Sequence, residues 1–354
     1  MPFSVTVQPS GHQFQVEAPD TVLVSALRVG IVLPYGCKNG ACGSCKGRVV
    51  EGRVRHDAHQ LSALSVEEET AGFALFCSAH PETDLVIEAR EVRGAGDIPI
   101  KKLPVRVVSI VRAAPDVAIV RLQLPAVERL QYLAGQYIEL ILKDGRRRSY
   151  SMAGAPHAAD QLELHIRHTP GGAFTDHVFG AAVGADPAKP ATALKERDIL
   201  RFEGPFGTFF LREASTKPMV LVASGTGFAP IKAVIEHAIA KNTDRDMVLY
   251  WGGRRPQDLY LDALAKSWQG VLSSFSYVPV ISDALPEDGW SGRTGFVHRA
   301  VLDDFPDLSQ HQVYACGAPI VIDSAKRDFT RERGLPIEEF YADSFTTEAD
   351  LARR

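Results

Sequence analysis

The sequence predicts a multidomain chain: an α+β unit first, an antiparallel β-rich unit in the middle, and an α/β unit with a parallel sheet last. Three observations predict it. Of the five cysteines in 354 residues, Cys37, Cys42, Cys45 and Cys77 crowd near the amino terminus and only Cys316 lies far from them. Residues 104–213 are rich in short β-type runs separated by turn residues. Beyond residue 214, strand-like and helix-like stretches alternate, which is the βαβα rhythm of a parallel sheet. At roughly 100–200 residues per domain, the length fits two or three domains, each with its own core.

In the first unit, Val5 to Val7 and Gln13 to Glu17 alternate polar and apolar residues as half-buried strands do, and Ser10-Gly11 turns between them. Asp20 or Thr21 can cap a helix carrying Val22, Leu23, Ala26 and Leu27 at helical spacing, with Gly30 just past its end. A glycine-rich loop, Gly36 to Gly47, leads into strand-like alternation from Arg48 to Arg55. Ser65 and Glu68 have the spacing of a capping box for a second short helix, and Asp84 to Ala89 reads as a closing strand. The unit ends near Arg93. Residues 94–103, with Gly94, Gly96 and Pro99, read as a linker that runs up to Pro104.

In the middle unit, 104–213, the β-rich runs are Val105 to Ile110, Val117 to Leu124, Tyr137 to Leu142 and Leu162 to Ile166. Ala181 to Ala193 is Ala-, Pro- and Gly-rich without periodicity and reads as a loop insertion. In the last unit, 214–354, the strands are Met219 to Ala223, Met247 to Trp251, Ser276 to Ile281 and Val313 to Cys316. The helices between them are Ile231 to Ala240 and Asp258 to Trp268.

The overall net charge of −4, carried as −3, +3 and −4 by the three units in order, argues against a general nucleic-acid binder. A phosphate-bearing ligand suits the positive middle, though ordinary surface fluctuation gives the same figure. No leader pattern or membrane-length apolar stretch occurs. A cytoplasmic protein that does not engage a membrane is expected. An odd, lopsided cysteine count is a poor disulfide framework and a good metal site.

Four residues separate Cys37 from Cys42, two separate Cys42 from Cys45, and thirty-one separate Cys45 from Cys77. That is the plant-type [2Fe–2S] spacing. A negatively charged cluster needs backbone N–H donors near its sulfurs, and Gly36, Gly40, Gly43 and Gly47 permit the tight bending that supplies them. A zinc site of Cys42, Cys45, Cys77 and His80 leaves Cys37 and the glycines unexplained. A Rieske centre needs a second Cys-His pair that the chain lacks, so His80 reads as a surface residue. A thioredoxin-like pair at Cys42 and Cys45 has the wrong flanks. The stretch from Pro34 to Gly47 closely resembles the cluster loop of plant-type ferredoxin domains, and Leu75-Phe76-Cys77 their fourth-ligand region. The resemblance implies a β-grasp fold holding a [2Fe–2S] cluster.

Arg148-Ser149-Tyr150-Ser151 offers a fork for phosphate, a flat amphipathic ring and a hydroxyl, or else simply a basic turn before a strand. The tetrapeptide resembles the flavin motif of the ferredoxin–NADP reductase superfamily. That likeness implies an antiparallel β-barrel in which Arg148 meets the FAD phosphates, Tyr150 packs on the isoalloxazine and Ser151 lies near its reactive nitrogen. Gly171, Gly172 and Thr175 resemble the pyrophosphate turn of the same family, and His165 and His168 nearby read as packed or solvated. Gly225-Thr226-Gly227 follows an apolar strand and precedes a helix, where glycines let backbone approach a pyrophosphate. Cys316-Gly317-Ala318-Pro319 ends a later strand and resembles the family's segment beside the nicotinamide; a small buried cysteine is the plainer reading. Phe345, with Phe340 second, resembles the aromatic that covers the flavin. Arg254 and Arg255 are candidates for a 2′-phosphate of NADPH, or equally adenosine-side or surface arginines.

The domain order resembles that of reductase components: aromatic-ring and methane oxygenase reductases, phenol hydroxylase reductases and, nearest in the cluster loop, CDP-6-deoxy-3,4-glucoseen reductases. The resemblance implies an oxidoreductase using NADH, with NADPH possible, FAD and a [2Fe–2S] cluster. Its partner would be an electron-acceptor protein, a dehydrase or an oxygenase component, and the chain is expected to be a monomer. Ser151, Cys316 and Phe345 are the residues implied at the hydride-transfer centre. A redox-sensing module without enzymatic turnover is the remaining class, and the flavin and nucleotide motifs argue against it.

Overall fold

The computed structural model describes residues 2–92, 98–158, 161–180, 193–272 and 274–346. The chain divides into two compact units, Met1–Pro99 with Ala342–Arg354, and Ile100–Tyr341.

In the first unit the strands are β1 (Phe3–Gln8), β2 (Gln13–Val16), β3 (Lys46–Glu51), β4 (Val54–His56), β5 (Phe73–Leu75), β6 (Ala79–Pro81) and β7 (Leu85–Glu88), with helices α1 (Val22–Arg28) and α2 (Val66–Thr70). The main sheet runs β2-β1-β7-β3-β5, with β1 and β7 parallel, and β4 pairs with β6. The alternation read in β1 and β2 holds: Val5, Val7, Phe14 and Val16 are buried. Thr21 rather than Asp20 caps α1, its side chain accepting from the Val24 N–H, and Ser65 with Glu68 closes the capping box of α2. The run expected as one strand from Arg48 to Arg55 is broken between β3 and β4, where Gly52 adopts φ +95° against the Asp84 carbonyl.

The second unit opens with a six-stranded antiparallel sheet: β8 (Lys101–Ala114), β9 (Val117–Gln123), β10 (Tyr137–Ile141), β11 (Arg147–Ser151), β12 (Gln161–Arg167) and β13 (Ile199–Phe206), in the order β11-β10-β13-β8-β9-β12. Helix α3 (Ala173–Phe179) packs Phe174 and Val178 into the same core as Val120, Leu122, Leu164 and Phe202. The end strands approach each other: Met152, just past β11, bridges Leu164 of β12 and closes the sheet into a barrel. β8 begins at Lys101, inside the expected linker, because the chain pairs with β13 from Gly204 onward. Arg148 to Ser151 lie on β11 and not in a turn, and β11 and β13 were not expected from the sequence. Of the Ala181–Ala193 insertion, all but Ala193 falls outside the described residues.

The same unit continues as β14 (Met219–Ser224), α4 (Phe228–Ala240), β15 (Met247–Gly253), α5 (Asp262–Ser267), β16 (Phe275–Ile281), β17 (Arg293–Thr294), α6 (Val297–Asp304), β18 (Gln312–Gly317) and α7 (Pro319–Glu332), and β19 (Phe340–Ser344) follows. The sheet order is β17-β16-β15-β14-β18-β19, and β14 to β17 and β18 pair in parallel as the βαβα rhythm predicts. Buried on both faces, β14 reads as a continuous apolar run. α5 starts at Asp262 rather than Asp258, because Asp258 is spent accepting backbone N–H bonds from Arg254 and Arg255 in the preceding turn. No helix among the described residues is long and apolar enough to cross a membrane.

Candidate functional site

Cys37, Cys42 and Cys45 lie on the loop between α1 and β3, and Cys77 lies between β5 and β6. The loop aims backbone donors at sulfur. The Cys37 N–H points at Cys42 Sγ (3.4 Å), the Ala41 N–H at Cys37 Sγ (3.4 Å) and the Gly40 N–H at Cys77 Sγ (3.3 Å). Gly40 and Gly43 take positive φ, so bending is their contribution. Gly36 contributes room instead: a Cβ there would stand 3.3 Å from Cys42 Sγ. Gly47 likewise leaves space for the Phe76 ring.

The thiols associate two by two. Cys37 hydrogen-bonds Cys42, and that bond and then burial push the Cys37 thiol up while the same bond draws Cys42 down. Cys45 hydrogen-bonds Cys77 and is pushed up by that bond and by burial, while Cys77 is drawn down by the same bond. Among the described residues no group of three His, Cys, Asp or Glu side chains is arranged to hold a single ion. Two thiol pairs ringed by amide donors fit a two-iron cluster, each iron taking one pair. His80 is engaged elsewhere, bridging the Asp20 carbonyl (3.1 Å) and Asp57 Oδ2 (2.7 Å), which removes it from any zinc set.

In the barrel, Arg148, Tyr150 and Ser151 share one strand, with Ser151 buried and the other two half-buried. The Tyr150 ring lies 5.6 Å from that of Phe174, and burial pushes its hydroxyl above the ordinary tyrosine range. At the expected pyrophosphate turn Gly171 adopts φ +81° and Gly172 caps α3. The Thr175 hydroxyl donates to the Thr169 carbonyl (2.8 Å), and the Gly171 N–H donates to the buried Asp176 (3.1 Å), so these groups shape the turn itself.

The Gly225–Gly227 turn and the Cys316–Gly317 segment meet. Ala223 of β14 is in register with Cys316 of β18, which brings Gly225, Thr226 and Gly227 beside Cys316 and Gly317 at the carboxyl ends of the parallel strands. A Cβ on Gly227 would overlap the Cys316 carbonyl, and one on Gly317, at φ +145°, would press on Ser224. Cys316 is fully buried, and Pro319 opens α7. Arg255 is held by Asp288 through two bonds of 2.8 and 2.7 Å, whereas Arg254 is exposed. Phe340 packs on Phe329, and Phe345 is half-buried just past β19.

Sequence reasoning read His165 as packed or solvated, and it passed over Glu163, Arg167 and Lys232. On β12, Leu162, Leu164 and Ile166 face the barrel core, so Glu163, His165 and Arg167 should face water. His165 is instead fully buried between Glu163 and Tyr260, and a Cβ on Gly225 would lie 2.8 Å from Arg167 Nη1. Lys232 on α4 completes the group through Glu163. Three polar residues on one face of a strand are the signal that a second layer could have been read from.

Models of known families match in the same order: a 2Fe-2S iron-sulfur cluster binding domain at residues 5–82, an oxidoreductase FAD-binding domain at 104–211 and an oxidoreductase NAD-binding domain at 221–327. The chain is 39% identical over 345 residues to a CDP-6-deoxy-L-threo-D-glycero-4-hexulose-3-dehydrase reductase of Yersinia pseudotuberculosis, covering 98% of this chain and 99% of that protein. It is 35% identical to reductase component 1 of a Comamonas terephthalate 1,2-dioxygenase, covering 98% of both. The crystal structure of an Amycolatopsis cytochrome P450 reductase superposes with a TM-score of 0.74 at 32% identity, covering 98% of this chain and 99% of the other. The chain therefore belongs to the family of NAD(P)H-dependent oxidoreductases that join a [2Fe–2S] domain to FAD- and NAD-binding domains.

Proposed function

We propose that this protein passes electrons from NAD(P)H through FAD and its [2Fe–2S] cluster to a dehydrase that removes a sugar hydroxyl. The observation that carries this reading is the 39% identity to the hexulose-dehydrase reductase over nearly the full length of both chains. An oxygenase component is the second acceptor class, favoured by the 35% identity to the terephthalate dioxygenase reductase. The domain limits proposed for this function are 1–93, 104–213 and 214–354, with the linker expected at 94–103 shortened at its end by β8, which begins at Lys101.

A bound flavin takes two electrons as hydride and releases them singly, which a one-electron cluster requires. The chain's own residues supply placement. Cys37 and Cys42 would hold one iron, and Cys45 and Cys77 the other, with the Cys37, Gly40 and Ala41 amides stabilising sulfur charge. Arg148 would bind the FAD phosphates, Tyr150 would flank the ring, and Ser151 would offer its hydroxyl near the reactive nitrogen. Gly171, Gly172 and Thr175 would shape the pyrophosphate turn, and Phe345 would cover the flavin. Gly225, Thr226 and Gly227 would admit the nucleotide pyrophosphate against backbone, while Cys316, Gly317 and Pro319 border the nicotinamide. Each chain carries a whole set of these groups, so a monomer suffices. None of the five cysteines is spent on a disulfide among the described residues, which supports the cytoplasm as the protein's location.

The test is reconstitution. Purified protein should show flavin and cluster absorption, reduce ferricyanide and cytochrome c with NADH, and sustain turnover of a purified sugar dehydrase. Support of an oxygenase and not of the dehydrase would move the assignment to the second class, and absence of NAD(P)H oxidation would remove both.

A further inference from the structure

We propose that Lys232 and Glu163, seconded by His165 and Tyr260, are positioning residues that fix the nucleotide turn against the flavin strand. Lys232 lies on α4, the helix that starts directly after Gly227. Its Nζ stands 3.2 Å from Glu163 Oε1 of β12 and 3.2 Å from the carbonyl of Ala153, two residues past Ser151; it also meets Glu236 Oε2 at 2.8 Å. One ammonium thus ties the helix of the nucleotide turn to two places on the flavin barrel.

The second tie runs parallel to the first. His165 bridges Glu163 Oε1 (3.1 Å) and the Tyr260 hydroxyl (2.8 Å). Tyr260 sets its ring edge on Trp251 at 5.2 Å, and Trp251 Nε1 donates to the carbonyl of Gly225 (3.1 Å). Arg121 holds the other oxygen of Glu163 at 3.0 Å. The side chains of Lys232, Glu163 and His165 are 9%, 13% and 0% exposed, so water competes weakly for these bonds.

A buried ion pair is a poor source of stability, since two charges must leave water and an apolar pair of similar volume often does as well. Its directional bonds do fix geometry. Hydride transfer depends steeply on geometry, and a misplacement of about 1 Å can slow a reaction by 10²-fold. The group spans the residues assigned to flavin and to nucleotide, and the inference rests on that functional reading.

The test uses holoprotein carrying Lys232→Met, Glu163→Gln, Tyr260→Phe or Lys232→Arg. The limiting rate of flavin reduction by NADH and the long-wavelength charge-transfer absorbance of nicotinamide against flavin are followed without oxygen. Lys232→Met and Glu163→Gln should lower the rate about 10- to 100-fold and weaken the charge-transfer band, with FAD content and dithionite reduction unchanged. Lys232→Arg should recover part of both. Should Lys232→Met fail to fold, Tyr260→Phe removes one hydroxyl only and should still weaken the band. Parental rate and band in a folded variant lacking either tie would overturn the proposal. Failure of NADH to reduce the unmodified protein would instead overturn the functional reading beneath it.

Discussion

Gly227 and Cys316 touch through backbone: the carbonyl of Cys316 occupies the space in which a side chain on residue 227 would begin. The torsions at Gly227 are ordinary helical ones, φ −57° and ψ −12°, so room and not conformation excludes other residues. Gly227→Ala should spread the turn from β18 at a cost of about 1–3 kcal/mol, the usual range for overpacking. Stopped-flow reduction by NADH should slow sharply while dithionite still reduces flavin and cluster. An alanine variant with parental NADH kinetics would show that the contact does not shape the nucleotide site.

The cysteines should separate by function. Cys37→Ser, or Cys77→Ser in the other pair, should erase the cluster's visible spectrum and leave NADH reduction of ferricyanide intact. Cys316→Ala should do the reverse, slowing flavin reduction by about an order of magnitude with the cluster spectrum unchanged. Double readout on the same preparations checks both at once.

Nucleotide choice should respond to Arg254 and not to Arg255. The Arg255 guanidinium is already held by both oxygens of Asp288. If a 2′-phosphate is read here, Arg254→Ala should lower the NADPH/NADH ratio of kcat/KM, while Arg255→Ala leaves it unchanged. Steady-state kinetics with both nucleotides decide, and an equal response of the two arginines would contradict the geometry.

Acid should destabilise the fold in two stages. Burial holds His165, His298 and His311 below the ordinary histidine value, so they stay neutral in the native state and gain protons on unfolding. Their contribution is complete above about pH 6.5 and declines as pH falls below it. Burial alone would raise Glu339, but bonds from Lys217, Gln312 and Tyr341 outweigh it and draw the carboxyl down; its contribution is complete above the usual glutamate value of 4.5 and is lost progressively as pH falls below it. Both slopes have one sign. The thermal midpoint should therefore fall from pH 7 to 5.5 and fall further toward pH 4, and a rise over the first interval would refute this.

Legibility in the sequence followed how local each cause is. The [2Fe–2S] domain was readable because a cysteine spacing is local to the sequence, and the capping box at Ser65 and Glu68 because it closes within one turn. The parallel strands were readable from continuous apolar runs. β11 and β13 escaped because Arg147-Arg148-Ser149 and Gly204-Pro205 look like turns, and only pairing with β10 makes them strands. Glu163 and Lys232, and the partners of His165, escaped for the same reason at longer range. Their partners lie on other elements, and no window of sequence places α4 over the outer face of β12.

The meeting of Gly225–Gly227 with Cys316–Gly317 has a consequence for how such a protein can change. Its centre is specified largely by missing side chains, which leaves little for substitution to adjust there. Adjustable chemistry lies at the margin, at positions such as Arg254. If Arg254 reads a 2′-phosphate, single replacements at the rim would shift donor preference while the close-packed meeting of the two turns stays as it is.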